Sequence, residues 1–260
     1  MFNFFKNKKS KSKSKIITVT PKKEYTDIKP ISDYFKNETG ITFDSQLSIL
    51  KSKVTLFCTQ REIYSFSNLL EKIKLNQKLK QELIDCLTTN ETFFYREFTQ
   101  IQELVQLVKS SNKQIKILCA PSSTGEEPYS IAIALLEAGV SSTSFEILGI
   151  DINSDAIAKA ETAIYSERNI RNLSPQIISK YFSQNNTQYI LNQNIKSLVS
   201  FKVTNLFDES FKHIGKFDFV FSRNMLIYFD KETKLKAKLI LEKMRKSEEQ
   251  GVFFGHADLF

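Results

Sequence analysis

The chain has 260 residues, room for one large domain or two small ones, and 41% of them are hydrophobic, enough to fill a core. No run of 18 or more apolar residues occurs, which argues against a helical membrane span, and the basic N-terminus lacks the apolar segment of a secretory signal. The net charge of +8 comes mostly from Lys6, Lys8, Lys9, Lys11, Lys13 and Lys15; without them it falls to about +2, so the excess belongs to a tail and not to a nucleic-acid-binding face.

Residues 1–24 are rich in Lys, Ser and Asn and read as a disordered tail. From 25 to 87 the apolar residues step by three or four: Ile31, Tyr34 and Phe35; then Leu47, Leu50, Val54 and Phe57; then Phe66, Leu69, Leu70 and Ile73; then Leu79, Leu83, Ile84 and Leu87. That predicts a small domain of three or four helices, with Gly40 as a helix stop. The stretch Thr88–Phe98, TTNETFFYREF, follows, with Asn90 as a candidate N-cap and Phe93 and Phe94 as buried rings. A linker helix carrying Ile101, Leu104, Val105 and Val108 completes 88–114. The three cysteines, Cys58, Cys86 and Cys119, are widely spaced and show neither a metal signature nor a disulfide framework, as in a reduced cytoplasm.

From Ile115 onwards strand and helix signals alternate. Strands are expected at 115–119, 145–150, 199–203, 217–221 and 252–254, and helices at 129–138, 154–165, 175–182 and 232–245. Such alternation predicts an α/β fold, a doubly wound and mostly parallel sheet preceded by the small all-α domain. Ligands of such sheets bind beyond the carboxyl ends of the strands, where strand order reverses. That rule selects the turn 120–127, Asp151, Asn205 with Leu206, and Ser222 to Asn224.

The first turn lies within ILCAPSSTGEEPYS, Ile117–Ser130: an apolar strand, small residues, then a helix with Pro128 in its first turn. Neither G-x-G-x-x-G nor a P-loop pattern is present. Glu126 and Glu127 would repel a phosphate and suit a cation or an amino group. Asp151 closes ILGID, about 26 residues after Gly125, where a carboxylate can accept both hydroxyls of a ribose. A nucleoside site lined by carboxylates and lacking pyrophosphate chemistry suits S-adenosylmethionine. Taken residue by residue, a plain strand–helix turn, a solvated loop aspartate and a structural Arg96 remain alternatives.

Several stretches together resemble the chemotaxis protein-glutamate O-methyltransferases of the CheR type: TTNETFFYRE, STGEEPYSIAI (Ser123–Ile133), DINSDAIAKA (Asp151–Ala160), NLFD (Asn205–Asp208), FSRNMLIYFD (Phe221–Asp230) and the closing GVFFGHADLF. They occur in the family's order over roughly residues 28–260. The resemblance implies a Rossmann-like methyltransferase domain at 115–260, with a small β insertion near 189–203. It also implies transfer of a methyl group from S-adenosylmethionine to glutamate side chains of chemoreceptors, leaving S-adenosylhomocysteine. Cofactor-binding positions carried over are Asn90, Thr92, Arg96, Glu126, Asp151, Asn205, Leu206, Arg223 and Asn224; Arg96 and Tyr228 are carried over as the catalytic pair. The implied partner is the cytoplasmic helical domain of chemoreceptors, met by a cytoplasmic monomer that binds no nucleic acid and no metal.

Two departures stand out. Pro121 stiffens the cofactor turn. The second helix, where relatives carry many arginines, offers only Lys51, Lys53 and Arg61. A non-catalytic module that binds S-adenosylmethionine or S-adenosylhomocysteine in a signalling pathway is the second reading, and a methyltransferase of small molecules or nucleic acid the third; the presence of both Arg96 and Tyr228 favours an enzyme.

Overall fold

The computed structural model describes residues 23–111 and 113–258. The lysine-rich segment therefore lies outside the described residues, except at its end. There Glu24 donates its N–H to the Tyr64 carbonyl at 2.7 Å and bridges Ser65, so the expected tail stops short of residue 24.

Four helices come first: α1 (Lys29–Thr39), α2 (Leu47–Gln60), α3 (Phe66–Leu75) and α4 (Gln77–Leu87). Gly40 ends α1 in the left-handed region at φ 76°. The Ser65 and Asn76 side chains cap α3 and α4 by accepting from Asn68 and Leu79 N–H. The predicted faces bury together: Ile31, Phe35, Leu50, Val54, Phe57, Leu69, Ile73 and Leu83 share one core.

Asn90 is not a helix cap. Residues 88–97 are irregular, with a turn at 94–97, and α5 (Phe98–Lys109) starts only after Tyr95 and Glu97 have adopted φ 55° and 47°. The reason is that other parts of the chain satisfy this backbone. Phe94 N–H donates to the Asn169 carbonyl and Tyr95 N–H to Ser130 Oγ, while the Phe94 ring sits edge-on to Tyr165 and Phe182 at 4.9 and 5.3 Å. Phe94 is fully buried, but Phe93 is only partly so.

The rest of the chain runs β1 (Ile115–Cys119), α6 (Glu126–Glu137), β2 (Phe145–Asp151), α7 (Ser154–Thr162), β3 (Ile164–Ser166), α8 (Glu167–Ile170), α9 (Pro175–Tyr181), β4 (Phe182–Asn185), β5 (Gln188–Leu191), α10 (Gln193–Lys196), β6 (Val199–Val203), β7 (Phe219–Ser222), α11 (Lys231–Glu242) and β8 (Val252–Phe254). The main sheet is parallel throughout, in the order β6-β2-β1-β7-β8, so strand order reverses between β1 and β7. Alternate residues feed two cores: Ile117, Cys119, Ile147 and Phe221 on one face, Leu118, Ile150 and Val220 on the other. Gly149 allows close packing, since a Cβ there would lie 2.7 Å from the Phe201 ring and 2.8 Å from Ser122 Cβ.

The β insertion lies earlier than expected. A small antiparallel sheet of order β3-β5-β4 spans 164–191, whereas Val199–Val203 pairs in parallel with β2 as the edge of the main sheet. The helix expected to reach 165 ends at Thr162, because Ala163 turns left-handed and sends the chain into β3.

Candidate active site

A cleft of about 650 Å³ opens at the carboxyl ends of β1, β2, β6 and β7, with the α1–α2 loop along its other side. The turn after β1 makes its floor. Ser122 N–H donates to the Ile150 carbonyl at 2.7 Å, and Gly125 turns left-handed at φ 93° where a Cβ would meet Ala160, Tyr129 and Tyr165 at 3.0–3.1 Å. The helix then begins at Glu126, so the two glutamates leave it about 100° apart.

They have different fates. Glu126 is fully buried behind the turn, where it accepts from Thr124 Oγ1 at 2.7 Å and Asn169 Nδ2 at 2.6 Å, and burial pushes its carboxyl up. It does not line the cleft; Glu127 does. Glu127 Oε2 pairs with Arg223 Nε, and Oε1 is buried with no partner. Ser122, Ser123 and Ser222 hydroxyls are likewise buried and unpartnered. The carried-over Glu126 thus stands behind the turn, while its neighbour faces the cleft.

Asp151 stands at the end of β2, 5% exposed, and accepts N–H bonds from Ser123 and Asn153 at 2.9 Å each. Burial pushes its carboxyl up to about 6, against the pull of those backbone donors. Asn205 and Leu206 line the cleft after β6; the Asn205 amide donates to the Glu38 carbonyl of α1 at 2.6 Å.

Arg223 lines the cleft but its guanidinium works largely as a tie. Besides Glu127 it donates to the carbonyls of Arg96 and Glu97 at 2.9 and 3.2 Å, which fixes the turn that carries Arg96. Asn224 has φ 59°, and its backbone N–H, with those of Leu226 and Gly255, is accepted by the buried Asp258 carboxylate. That carboxylate shapes the loop leading to Tyr228. Asn90, Thr92, Arg96 and Tyr228 all reach the cleft. Burial raises the Tyr228 phenol pKa, opposed by the Arg96 charge.

The helical module contributes more than the sequence indicated. Ile41, Thr42, Phe43, Ile49 and Lys53 line the cleft, Thr42 N–H donates to the Tyr228 carbonyl at 3.0 Å, and Ile41 bridges Phe229. On the other flank Asp85 of α4 accepts from Ser154 N–H at 2.7 Å, Ser154 Oγ at 2.5 Å and Gln81 Nε2 at 2.8 Å, holding the turn just beyond Asp151. No motif marks these residues; the Gly40 stop was the only local hint that the chain turns here.

The donor set fits one kind of ligand. An unpartnered buried carboxylate oxygen suits an ammonium group, a carboxylate at the end of β2 suits a vicinal diol, and two floor carboxylates disfavour a phosphate. The CheR methyltransferase, SAM binding domain family matches residues 90–260. The chain belongs to this family. A chemotaxis protein methyltransferase of Campylobacter jejuni subsp. jejuni is 39% identical over 224 residues, covering 85% of this chain and 84% of its own. Chemotaxis protein methyltransferase 2 of Vibrio cholerae is 33% identical over 248 residues, covering 90% and 85%. The CheR-family chain is an S-adenosylmethionine-dependent methyltransferase, and its cleft opens at the carboxyl ends of its parallel strands. Among its described residues no helix is long and apolar enough to cross a membrane.

Proposed function

We propose that this CheR-family enzyme methylates glutamate side chains on the cytoplasmic helical domain of chemoreceptors, acting in the cytoplasm as a monomer. Residues 25–87 form its helical domain, 88–114 the linker, and 115–260 the catalytic domain. The observation that carries this reading is the division of the cleft: paired carboxylates on the floor, an arginine and a tyrosine at the mouth.

On this reading Glu127 Oε1 accepts the cofactor's ammonium, Asp151 its ribose hydroxyls, and Asn205 and Leu206 border the adenine. Asn90, Thr92 and Asn224 border the methionyl end. The cofactor supplies a sulfonium-bound methyl group. The acceptor carboxylate is ionised at neutral pH, so no general base is required. With the cofactor bound, one O–CH₃ bond would form as one S–CH₃ bond broke and a neutral sulfide would be left, so the residues of this chain would have no proton to move. The protein's task is alignment and exclusion of water. Arg96 orients the acceptor by a charge-assisted contact and Tyr228 walls the methyl group.

The test is transfer of labelled methyl to receptor-bearing membranes of the same organism. Label on receptor-sized protein, released as methanol at alkaline pH, is expected. Tight S-adenosylhomocysteine binding without any label would replace this reading with the non-catalytic regulatory one.

A further inference from the structure

Phe93 forms part of the cleft wall, and two guanidinium groups lie over its ring, Arg171 at 3.6 Å and Arg96 at 5.7 Å from the centroid. They come from separate parts of the chain. Arg96 sits in the turn before α5, and its side chain donates to the Glu91 carbonyl at 3.1 Å. Arg171 follows α8, a short helix fixed by a capping box between Ser166 and Asn169, and donates to the Arg168 carbonyl at 2.6 Å. Arg168 is committed to the Glu91 carboxylate at 2.5 Å. Neither Arg96 nor Arg171 has a carboxylate within ion-pair distance among the described residues. The remaining nitrogens of the exposed Arg171 face no protein acceptor there.

A guanidinium stacked by its face on an aromatic ring keeps its N–H edge available, and that edge matches a carboxylate. The basic residues of α2 and its C-cap do not compensate. Arg61 is bound to Glu82 at 2.9 Å and stacked on Phe57 at 3.8 Å, and Lys51 donates to the Thr26 carbonyl at 3.1 Å. Of the basic residues on that helix, only Lys53 reaches the cleft.

We propose that Arg171 is a specificity-determining residue that binds a second acidic side chain on the acceptor segment, beside the glutamate held by Arg96. The inference rests on the protein-glutamate reading above. It predicts that the preferred methylation sites have an acidic neighbour on the same face, at a spacing set by two guanidinium groups that share one ring. As a rim contact it acts on acceptor capture more than on the chemical step.

The experiment compares wild type with Arg171→Gln and Arg171→Lys on receptor-bearing membranes, with S-adenosylhomocysteine binding measured in parallel. Arg171→Gln is expected to raise the acceptor KM about fivefold at low ionic strength, with the difference shrinking as salt is added. Its kcat at saturating acceptor and its S-adenosylhomocysteine affinity should stay within about twofold of wild type. Arg171→Lys, which keeps the charge, should recover most of the loss. An unchanged acceptor KM in Arg171→Gln overturns the inference. So does a parallel loss of S-adenosylhomocysteine affinity, which would make Arg171 a mere support for Phe93. Wild-type labelling with a normal Arg171→Gln defeats this inference alone; a wild type that labels no carboxylate defeats the glutamate reading and this inference with it.

Discussion

On the cleft floor, Glu127, Asp151 and Arg223 are 9, 5 and 6% exposed, and each is held by backbone N–H groups, carbonyls or another of the three. At the mouth, Tyr228 is 36% exposed, Arg171 lies open to solvent, and the Arg96 side chain is tied, among the described residues, to a carbonyl and a ring. The floor is preorganised: its charges are desolvated before any ligand arrives, which suits an invariant ligand such as a cofactor. The mouth keeps solvated charges on movable side chains, which suits an acceptor that must enter, react and leave.

Several experiments would break or sharpen that contrast. The largest effect belongs to Glu127→Gln, which leaves Arg223 buried and unpaired. Loss of about 3–5 kcal/mol of stability is expected from chemical denaturation, with a fall of roughly a hundredfold in S-adenosylhomocysteine affinity by calorimetry as the ammonium loses its acceptor. The double variant Glu127→Gln/Arg223→Met should regain stability but not affinity; recovery of both would remove Glu127 from the cofactor site.

Arg96→Ala comes next. One charge-assisted contact of about 1.5–3 kcal/mol corresponds to at least about a tenfold loss of turnover. Because the side chain stands at the mouth, methyl transfer should suffer more than S-adenosylhomocysteine binding. Turnover equal to wild type would exclude the assigned role.

The floor also carries a pH signature. Asp151 has a folded-state value of about 6, above its ordinary 3.8. Below pH 6 it takes up a proton and loses an acceptor for the ribose, so affinity should fall about tenfold between pH 7 and 5. Stability of the free protein moves the other way. The cost of burying this charge is fully present above pH 6 and fades as pH falls toward 4. Titrating Asp151→Asn should show neither trend.

Asp85→Ala gives the smallest of these effects. Removing three hydrogen bonds that hold the turn after Asp151 should weaken S-adenosylhomocysteine binding about fivefold with little change in kcat. A kcat effect without an affinity effect would show that the helical module acts on the acceptor instead.

The architecture was legible in the sequence because the helical faces 31–35, 50–57 and 66–73 carry apolar residues at the helical period, and the strands 115–119 and 252–254 are short, mostly apolar runs. The strand-end rule likewise located the cleft. Finer placement failed where a single residue decides. Glu126 and Glu127 differ by one helical step, and which faces the cleft depends on Gly125 starting the helix left-handed. Asn90 looked like a cap because the groups that hold the following turn, Asn169 for Phe94 N–H and Ser130 for Tyr95 N–H, lie far along the chain. The small sheet was misplaced because Tyr189–Leu191 and Val199–Val203 have similar strand signals, and only pairing separates them. The cleft-lining loop 41–43 had no signal beyond the Gly40 helix stop.

Asp258 is a remote anchor. Its carboxylate gathers the backbone of Asn224, Leu226 and Gly255, so the loop that presents Tyr228 is shaped by a residue some thirty positions downstream. Asn224 also lines the cleft, so the same carboxylate braces both ends of it. One side chain that touches neither ligand thereby acts as a tie-rod, and slackening it would loosen the Asn224 wall and the Tyr228 loop together.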